Sequence, residues 1–300
     1  MSIADLRGIT SRLQVSAGTL AVLGAAMDAR VSGKPFDAAM QPRVDAILDA
    51  LGAKALVSEL SPPELSAALA EIRMTLNQGG KLLYPPARTR GWSHMDAEML
   101  QAAGDTSAGF AMTCKQMVVP KLAGLAERLE AGGVFLDVGT GVGAFAMAMA
   151  RNWPALRVVG VDPWAPSIAI GRENVKKAGL ADRIELREQG GEAVPERNAF
   201  DLAWIPSLFI PESAIGGIVK ATLGALKPGG WVLFATANPP ADPVAAAYIE
   251  LRTMIWGGAP FKPADVEPML AAAGFVDVQT LPAPPGAPAA MVAARKGVPA

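Results

Sequence analysis

Residues 135–145 read FLDVGTGVGAF, and this stretch decides the fold of the chain. A short apolar run comes first, followed by three glycines spaced two residues apart and by an alanine-rich segment that extends to Arg151. This order predicts a strand, a tight turn and the N-terminus of a helix. Such a turn lets the backbone approach a nucleotide-like ligand closely and points free N–H groups at it.

Apolar runs and helical segments alternate from residue 133 onward. The runs that predict strands are Val134–Val138, Val158–Val161, Ile184–Leu186, Leu202–Ile205 and Trp231–Ala235. The helical segments between them are Ala144–Arg151, Ser167–Ala178 and Ala214–Leu226. Continuous apolar strands that alternate with helices indicate a parallel sheet covered on both faces, which is an α/β fold.

The end of the chain predicts one more helix and a closing pair of strands. We expect the helix to begin near Asp265 and to stop at Gly274, with Pro268 in its first turn, where no N–H is missed. The strands are predicted at Phe275–Leu281 and Ala290–Ala294, on either side of a proline-rich connection.

The first third of the chain shows helical patterns and no strand pattern before residue 130. Pro42 opens one helix that Gly52 ends, and Ser61-Pro62-Pro63-Glu64 is a capping box for a second helix that we expect to stop at Gly79-Gly80. A further helix is predicted from Pro120 to Gly132. We therefore expect an all-helical region over residues 1–119, acting in closure of the site or in dimerisation, and a catalytic domain over residues 120–300.

The composition limits the class of protein. Apolar residues make up 51% of the chain and charged residues 18%, which indicates a sizeable core. The formal net charge is −1 with no block of like charges, so we expect no nucleic-acid partner. One cysteine, Cys114, excludes an internal disulfide, and neither a signal peptide nor a membrane span is evident. We expect a cytoplasmic protein.

The glycine turn is compatible with two nucleotide ligands. Gly139–Ala144 satisfies the G-x-G-x-x-[GA] pattern, and Asp162 follows about twenty residues later at the end of the next strand, where it can accept hydrogen bonds from ribose hydroxyls. Nicotinamide binders and S-adenosylmethionine binders share both features, so neither feature decides between them.

Four details favour S-adenosylmethionine. Asp137 lies two residues before the first glycine, where a carboxylate would repel a pyrophosphate and attract the ammonium of a methionine moiety. The glycines take the G-x-G-x-G form. Pro163 and Trp164 follow Asp162 and offer an apolar surface for adenine. The stretch from Leu226 to Gly230, LKPGG, precedes an apolar strand.

These segments together resemble class I S-adenosylmethionine-dependent methyltransferases. The stretch 137–143 (DVGTGVG) is similar to their first motif, and 159–162 (VGVD) to their acidic second-strand motif. The stretch 200–204 (FDLAW) resembles their fourth-strand motif, and LKPGG their usual entry to strand five. The resemblance covers roughly residues 120–296. It implies a seven-stranded, mostly parallel sheet with helices on both faces and an antiparallel last strand.

The resemblance also implies a set of cofactor contacts. It points to the first motif, to the acidic residue and to the residues after it. The third strand departs from the family, because the usual Gly-Asp is replaced by REQGGE at 187–192, where Gln189 or a shifted Glu192 could substitute. The predicted cofactor-binding residues are Asp137, Gly139, Thr140, Gly141, Gly143, Asp162, Pro163, Trp164, Gln189, Gly190, Ile205 and Pro206.

Methyl transfer from a sulfonium needs alignment of the acceptor and exclusion of water, whereas a general base is optional. The end of the fourth strand, Trp204–Phe209, should face the transferred methyl; it is apolar and holds no base. His94 is the only histidine and is the candidate base, with Asp96 or Asp105 as an orienting partner. No metal site is evident.

The sequence therefore predicts a methyltransferase that acts on a small hydrophobic or aromatic metabolite. The predicted substrate-lining residues are Trp92, Met112, Phe209 and Trp256, together with Ile205. A homodimer through the N-terminal helices is compatible with this function. Two alternatives stay open: an NAD(P)-dependent oxidoreductase, which Asp137 disfavours, and a non-catalytic protein with an S-adenosylmethionine-binding fold.

Overall fold

The computed structural model describes residues 2–83, 97–283 and 289–298. Seven strands in this part of the chain form one sheet. They are β1 (Val134–Val138), β2 (Arg157–Asp162), β3 (Ile184–Glu188), β4 (Phe200–Pro206), β5 (Leu226–Ala237), β6 (Phe275–Leu281) and β7 (Ala289–Lys296).

The strand order across the sheet is β3-β2-β1-β4-β5-β7-β6. β1 to β5 pair in parallel, whereas β7 pairs antiparallel with both β5 and β6. The order reverses at β1, which lies between β2 and β4, and a ligand site is expected at the carboxyl ends of strands beside such a reversal. The expected seven-stranded sheet with an antiparallel last strand is confirmed.

Helices cover both faces of the sheet and form the region before it. They are α1 (Ile3–Ser32), α2 (Gln41–Ala50), α3 (Lys54–Glu59), α4 (Pro62–Lys81), α5 (Ala97–Ala108), α6 (Phe110–Thr113), α7 (Leu125–Glu130), α8 (Ala144–Asn152), α9 (Ala165–Lys177), α10 (Glu212–Ala225), α11 (Pro243–Ile255) and α12 (Pro263–Ala273). One apolar cluster packs α8 and α9 on one face of the sheet. A second cluster packs α10 and α12 on the other face. The central strands β1, β4 and β5 are thus buried on both sides, as their continuous apolar runs predict, whereas the edge strands β3 and β6 have exposed residues.

The N-terminal helices form a separate apolar cluster, and α4 packs on α5, which contacts the helices α8 and α9 that cover the sheet. The second half of α1 packs closely on α4, because a Cβ at Gly24 would lie 2.9 Å from the Cγ2 atom of Ile72. The capping box at the start of α4 is present, with the Ser61 amide donating to Glu64 Oε2 over 2.8 Å. The helical N-terminal region is confirmed, and the boundary at residues 119 and 120 stays a prediction.

Three local predictions were wrong. α4 continues through Gly79 and Gly80 and ends at Lys81, because both glycines take the helical conformation and nothing around them forces the chain to turn. The helix expected from Pro120 begins at Leu125, since Gly124 takes a left-handed conformation with φ of 71° and interrupts it. Pro268 lies inside α12 and not in its first turn, because that helix begins earlier, at Pro263.

Candidate active site

The glycine turn joins β1 to α8, and two of its three glycines have clearly different structural roles. All three have positive φ, at 69° for Gly139, 55° for Gly141 and 75° for Gly143. A Cβ at Gly141 would meet nothing within 4 Å, whereas a Cβ at Gly143 would lie 3.2 Å from the Cδ1 atom of Leu186. Gly141 therefore keeps open space for a ligand, and Gly143 allows α8 to pack closely on the sheet.

Asp137 is a buried carboxylate directly beside this turn. Its side chain is 1% exposed, and its Oδ2 accepts a hydrogen bond of 2.8 Å from the hydroxyl of Thr140. Burial raises the pKa of Asp137 to about 7, with a smaller increase from the charge of Asp162, while the Thr140 bond opposes the shift. A cationic ligand at this position would offset the unfavourable burial of the ionised carboxylate.

Asp162 ends β2 and fixes the backbone of two neighbouring loops. Its Oδ2 accepts from the Gly141 amide over 2.9 Å, and its Oδ1 accepts from the Trp164 amide over 2.8 Å. Burial raises its pKa, and these two backbone bonds act in the opposite direction. Each carboxylate oxygen has a second acceptor site, so Asp162 can also accept hydrogen bonds from a pair of ligand hydroxyls.

These two carboxylates open onto a cavity of about 1940 Å³. Its cofactor end is bordered by the glycine turn, by Pro163 and Trp164 after β2, and by residues 190–192 after β3. The other end, which we call the acceptor end, is bordered by α4, α5, the last turn of α11 and the 3₁₀ turn Ser207–Phe209. The cavity therefore has the volume to hold two ligands side by side.

An aromatic wall lies along the cavity where β4 ends. The ring of Trp204 lies 4.9 Å from that of Phe110 and 5.2 Å from that of Phe145, measured between centroids. At the acceptor end, Phe209 stacks on Trp256 with centroids 4.7 Å apart and an interplanar angle of 17°. All five residues line the cavity, so its middle and its acceptor end suit a flat apolar ligand.

The structure brings most of the predicted residues to this cavity. Of the predicted cofactor residues, those that line it are Asp137, Gly139, Thr140, Gly141, Asp162, Pro163, Trp164, Gly190 and Pro206. Of the predicted substrate residues, Met112, Phe209 and Trp256 line it. Trp92 and the candidate base His94 lie outside the described residues, as does Asp96.

Three predicted residues do not border the cavity. Ile205 is fully buried in the cluster between the sheet and α10, because its side chain points to the opposite side from those of Trp204 and Pro206 in the alternation of β4. Gly143 packs on Leu186, as described above. Gln189 bonds through its backbone amide to the carbonyl of Asp162, whereas Glu192 lines the cavity. The geometry thus favours Glu192 over Gln189 as the substitute for the missing acidic residue.

Sequence reasoning missed several residues of the cavity. The sequence analysis gave no site role to Phe110, Phe145 or Arg252. Their position depends on packing between distant segments, so no local pattern marks them. No group of three or more potential metal ligands occurs among the described residues, and no described helix is long and apolar enough to cross a membrane.

The comparison with known proteins agrees with this geometry. Residues 135–230, roughly a third of the chain, match the sequence model of a family described as "Methyltransferase domain". The chain therefore contains a class I S-adenosylmethionine-dependent methyltransferase domain, and S-adenosylmethionine is the cofactor of that class. The match begins at Phe135, the second residue of β1, and ends at Gly230, so it includes the glycine turn and Asp162.

One curated relative is the ubiquinone biosynthesis O-methyltransferase of Paracidovorax citrulli (strain AAC00-1), which is 36% identical over 107 residues. That alignment covers 34% of this chain and 43% of the relative. The chain thus spans less than half the length of the curated relatives it matches.

Solved structures extend the likeness of fold to nearly the whole chain. The methyltransferase SibL in its apo form has a TM-score of 0.62 and 17% identity, with 96% of this chain and 99% of that chain covered. Human N-acetylserotonin methyltransferase in complex with S-adenosylmethionine has a TM-score of 0.59 and 18% identity, with 98% of each chain covered. At this identity the likeness concerns the fold, N-terminal helices included.

Proposed function

We propose that this chain transfers a methyl group from S-adenosylmethionine to a small apolar or aromatic acceptor. One observation carries the proposal: a single cavity has the buried carboxylate of Asp137 and the partly buried carboxylate of Asp162 at one end and stacked aromatic rings at the other. The first end suits a cationic nucleoside and the second a flat apolar molecule, which are the two reactants of such a transfer.

The cofactor end fits S-adenosylmethionine by its chemistry. In this proposal Asp137 takes the ammonium of the methionine moiety, because the carboxylate is buried and Thr140 is its hydrogen-bond partner among the described residues. Asp162 takes the ribose hydroxyls, and Trp164 and Pro163 border the space for adenine. A dinucleotide fits poorly, since its pyrophosphate would lie close to the Asp137 carboxylate.

The described residues support catalysis by positioning. When bound, the cofactor supplies a methyl group that is already activated as a sulfonium. Trp204, Phe110 and Phe145 would hold the acceptor flat along the end of β4 and exclude water from the path of the methyl. These rings offer no proton acceptor, so a hydroxyl acceptor would need a base from another part of the cavity.

His94 is the base proposed from the sequence, and that assignment stays a prediction. Replacing His94 by Gln should lower kcat by a factor of about 100 or more if it removes the acceptor's proton. It should also abolish the neutral limb of the pH–rate profile. An unchanged pH–rate profile would show that His94 is not the base, and the rate would then come from alignment of the acceptor with the methyl group.

Several curated relatives are O-methyltransferases, which favours oxygen as the methylated atom. We further propose a homodimer formed through the first half of α1. Leu6, Ile9 and Leu13 share one face there and are exposed.

The chain's single cysteine, with no internal disulfide, supports a place in the cytoplasm.

Transfer of labelled methyl tests the proposal. The full chain is incubated with methyl-labelled S-adenosylmethionine and a panel of aromatic and heterocyclic alcohols, acids and amines. We expect label in at least one acceptor and release of S-adenosylhomocysteine. Tight binding of S-adenosylmethionine without transfer to any acceptor would support the non-catalytic alternative, and binding of NAD(P) alone would support the oxidoreductase.

A further inference from the structure

Arg252 lies in the wall of the acceptor end without an anionic partner. It is half-buried on α11 and lines the cavity together with Glu71 of α4 and with Trp256. Its guanidinium makes no hydrogen bond or ion pair with any described residue, and its Nε atom is sealed from solvent without a partner. A cation in this state is unfavourable until an anion or another acceptor reaches it.

Aromatic rings hold the guanidinium in place. The Cζ atom of Arg252 lies 4.6 Å from the ring centroid of Trp256 and 5.9 Å from that of Tyr248. Trp256 in turn stacks on Phe209. Cation–π contacts fix the plane of a guanidinium and leave its N–H donors available. The result is a pre-oriented set of donors beside an apolar platform.

The surrounding charges leave the site open to an anion. Burial lowers the pKa of Arg252, whereas Tyr248 and Glu71 raise it, and the ordinary value lies so far above neutrality that the group stays charged. Glu71 faces it from α4, yet no carboxylate oxygen of the described residues lies within 4.0 Å of it. Lys121 also lines the cavity but is exposed and therefore hydrated.

We propose that the methyl acceptor is an aromatic acid, whose carboxylate binds Arg252 while its ring system lies along Trp256 and Phe209. A carboxylate matches the planar fork of a guanidinium with two parallel hydrogen bonds. This inference rests on the proposed function, because it takes the cavity for the acceptor site. It adds the charge and the aromatic character of the substrate, which the fold does not supply.

Paired ligands that differ in charge alone test the inference. Calorimetry measures the binding of 2-naphthoate and of neutral 2-naphthamide to the full chain, with and without S-adenosylhomocysteine. We expect the acid to bind the wild type at least about tenfold more tightly than the amide. Arg252→Gln should remove that preference and Arg252→Lys should keep part of it, because Lys retains the charge and loses the fork.

Two further variants sharpen the result. Lys121→Gln removes a cavity cation that is exposed and should leave the preference for the acid unchanged. Glu71→Gln removes the facing negative charge and should strengthen binding of the acid a few-fold without changing that of the amide. Should Arg252→Gln fail to fold by circular dichroism, Arg252→Lys and Glu71→Gln carry the test.

Equal binding of acid and amide to the wild type would overturn the inference, as would an acid preference that survives Arg252→Gln. Calorimetry with S-adenosylmethionine separates this failure from a failure of the proposed function. If the cofactor binds and the acid preference is absent, the substrate class is wrong and the methyltransferase assignment stands. If the cofactor does not bind, the methyltransferase assignment fails, whatever Arg252 does.

Discussion

The two ends of the cavity are built in different ways. The cofactor end consists of loops that directly follow β1, β2 and β3. Its two carboxylates lie 25 residues apart in the sequence, and each accepts hydrogen bonds from residues two to 21 positions away: Asp137 from the Thr140 hydroxyl, and Asp162 from two backbone amides. The acceptor end joins α4, α5, the end of β4 and α11, which lie far apart in the sequence. The first end is thus set by local motifs, and the second by packing between distant helices.

This difference suggests a separation of tasks. A sheet edge with short loops is a rigid place to bind a constant cofactor. Helices that meet by apolar side chains can change their contact residues without disturbing the sheet, which suits a variable acceptor. Substitutions at one end should therefore change the binding of one reactant and spare that of the other.

The largest expected effect is on cofactor binding by Asp137→Asn. We expect the Kd of S-adenosylmethionine to rise about 100-fold, because a charge-assisted hydrogen bond to the ammonium is lost. Calorimetry at pH 7.5 measures it. Without ligand, the same variant should melt at a higher temperature than the wild type at that pH, because burial raises the pKa of Asp137 and its ionised form destabilises the empty fold above its ordinary pKa.

A higher melting temperature together with unchanged cofactor binding would contradict this account, since it would leave Asp137 buried but outside the ligand site. Thr140→Val is the matched control, because Thr140 is the hydrogen-bond partner of Asp137. It removes the hydrogen bond to Asp137 and keeps the carboxylate, so its effect on Kd should be smaller.

The next effect concerns the acceptor end. Phe209→Leu removes the ring that stacks on Trp256 and should raise the KM for the acceptor about tenfold, while the Kd of S-adenosylmethionine stays within about twofold. Phe261→Leu is the control, because Phe261 packs on Phe234 in the core and does not line the cavity. Equal changes in both constants would show that the two ends are not separable.

A pH effect of slightly smaller size is expected at the cofactor end. Affinity for S-adenosylmethionine should rise about eightfold from pH 6.0 to 7.5, because the ionised fraction of a carboxyl with a pKa of about 7 rises from about a tenth to about three quarters. The ligand's amine stays mostly protonated over this range. Calorimetry measures the slope, and acceptor-probe binding to Arg252 should not share it. A flat cofactor profile would contradict the assignment of Asp137.

The smallest effect tests how the two ends are joined. A Cβ at Gly104 of α5 would clash with the Cγ2 atom of Val142 in the glycine turn. Gly104→Ala should therefore destabilise the fold by about 1–2 kcal/mol and weaken cofactor binding about threefold. Gly80→Ala in α4 meets nothing within 4 Å and should instead stabilise it by about 0.5–1 kcal/mol. Thermal melts measure the stability of both variants. Equal changes in stability would show that Gly104 and Val142 are not in close contact.

The same contrast explains what could be predicted from the sequence. β1 to β5, the glycine turn, Asp137 and Asp162 follow from apolar runs and short spacings, because each depends on neighbours in the chain. α11 was not predicted, since Thr253 is its one fully buried residue and Val244, Leu251 and Met254 are exposed, which blurs the helical period. Arg252 was missed together with this helix, because the groups around it are Tyr248 and Trp256 of α11 and Glu71 of the distant α4.

A predicted residue such as Ile205 shows the limit of a motif. The end of β4 was correctly placed at the cavity, but a strand turns alternate side chains to opposite faces, and the motif does not say which face the ligand meets. Trp204 and Pro206 line the cavity while Ile205 is in the core. Which face of a strand borders the ligand site therefore has to be read from the packing on both of its faces.

A crystal structure of the full chain with S-adenosylhomocysteine tests the central claim most directly. We predict that the methionine ammonium lies within hydrogen-bond distance of Asp137, that the ribose hydroxyls contact Asp162, and that the sulfur faces the aromatic wall of Trp204. Cofactor bound elsewhere, or with its ribose away from Asp162 and its ammonium away from Asp137, would contradict the division of the cavity into a cofactor end and an acceptor end.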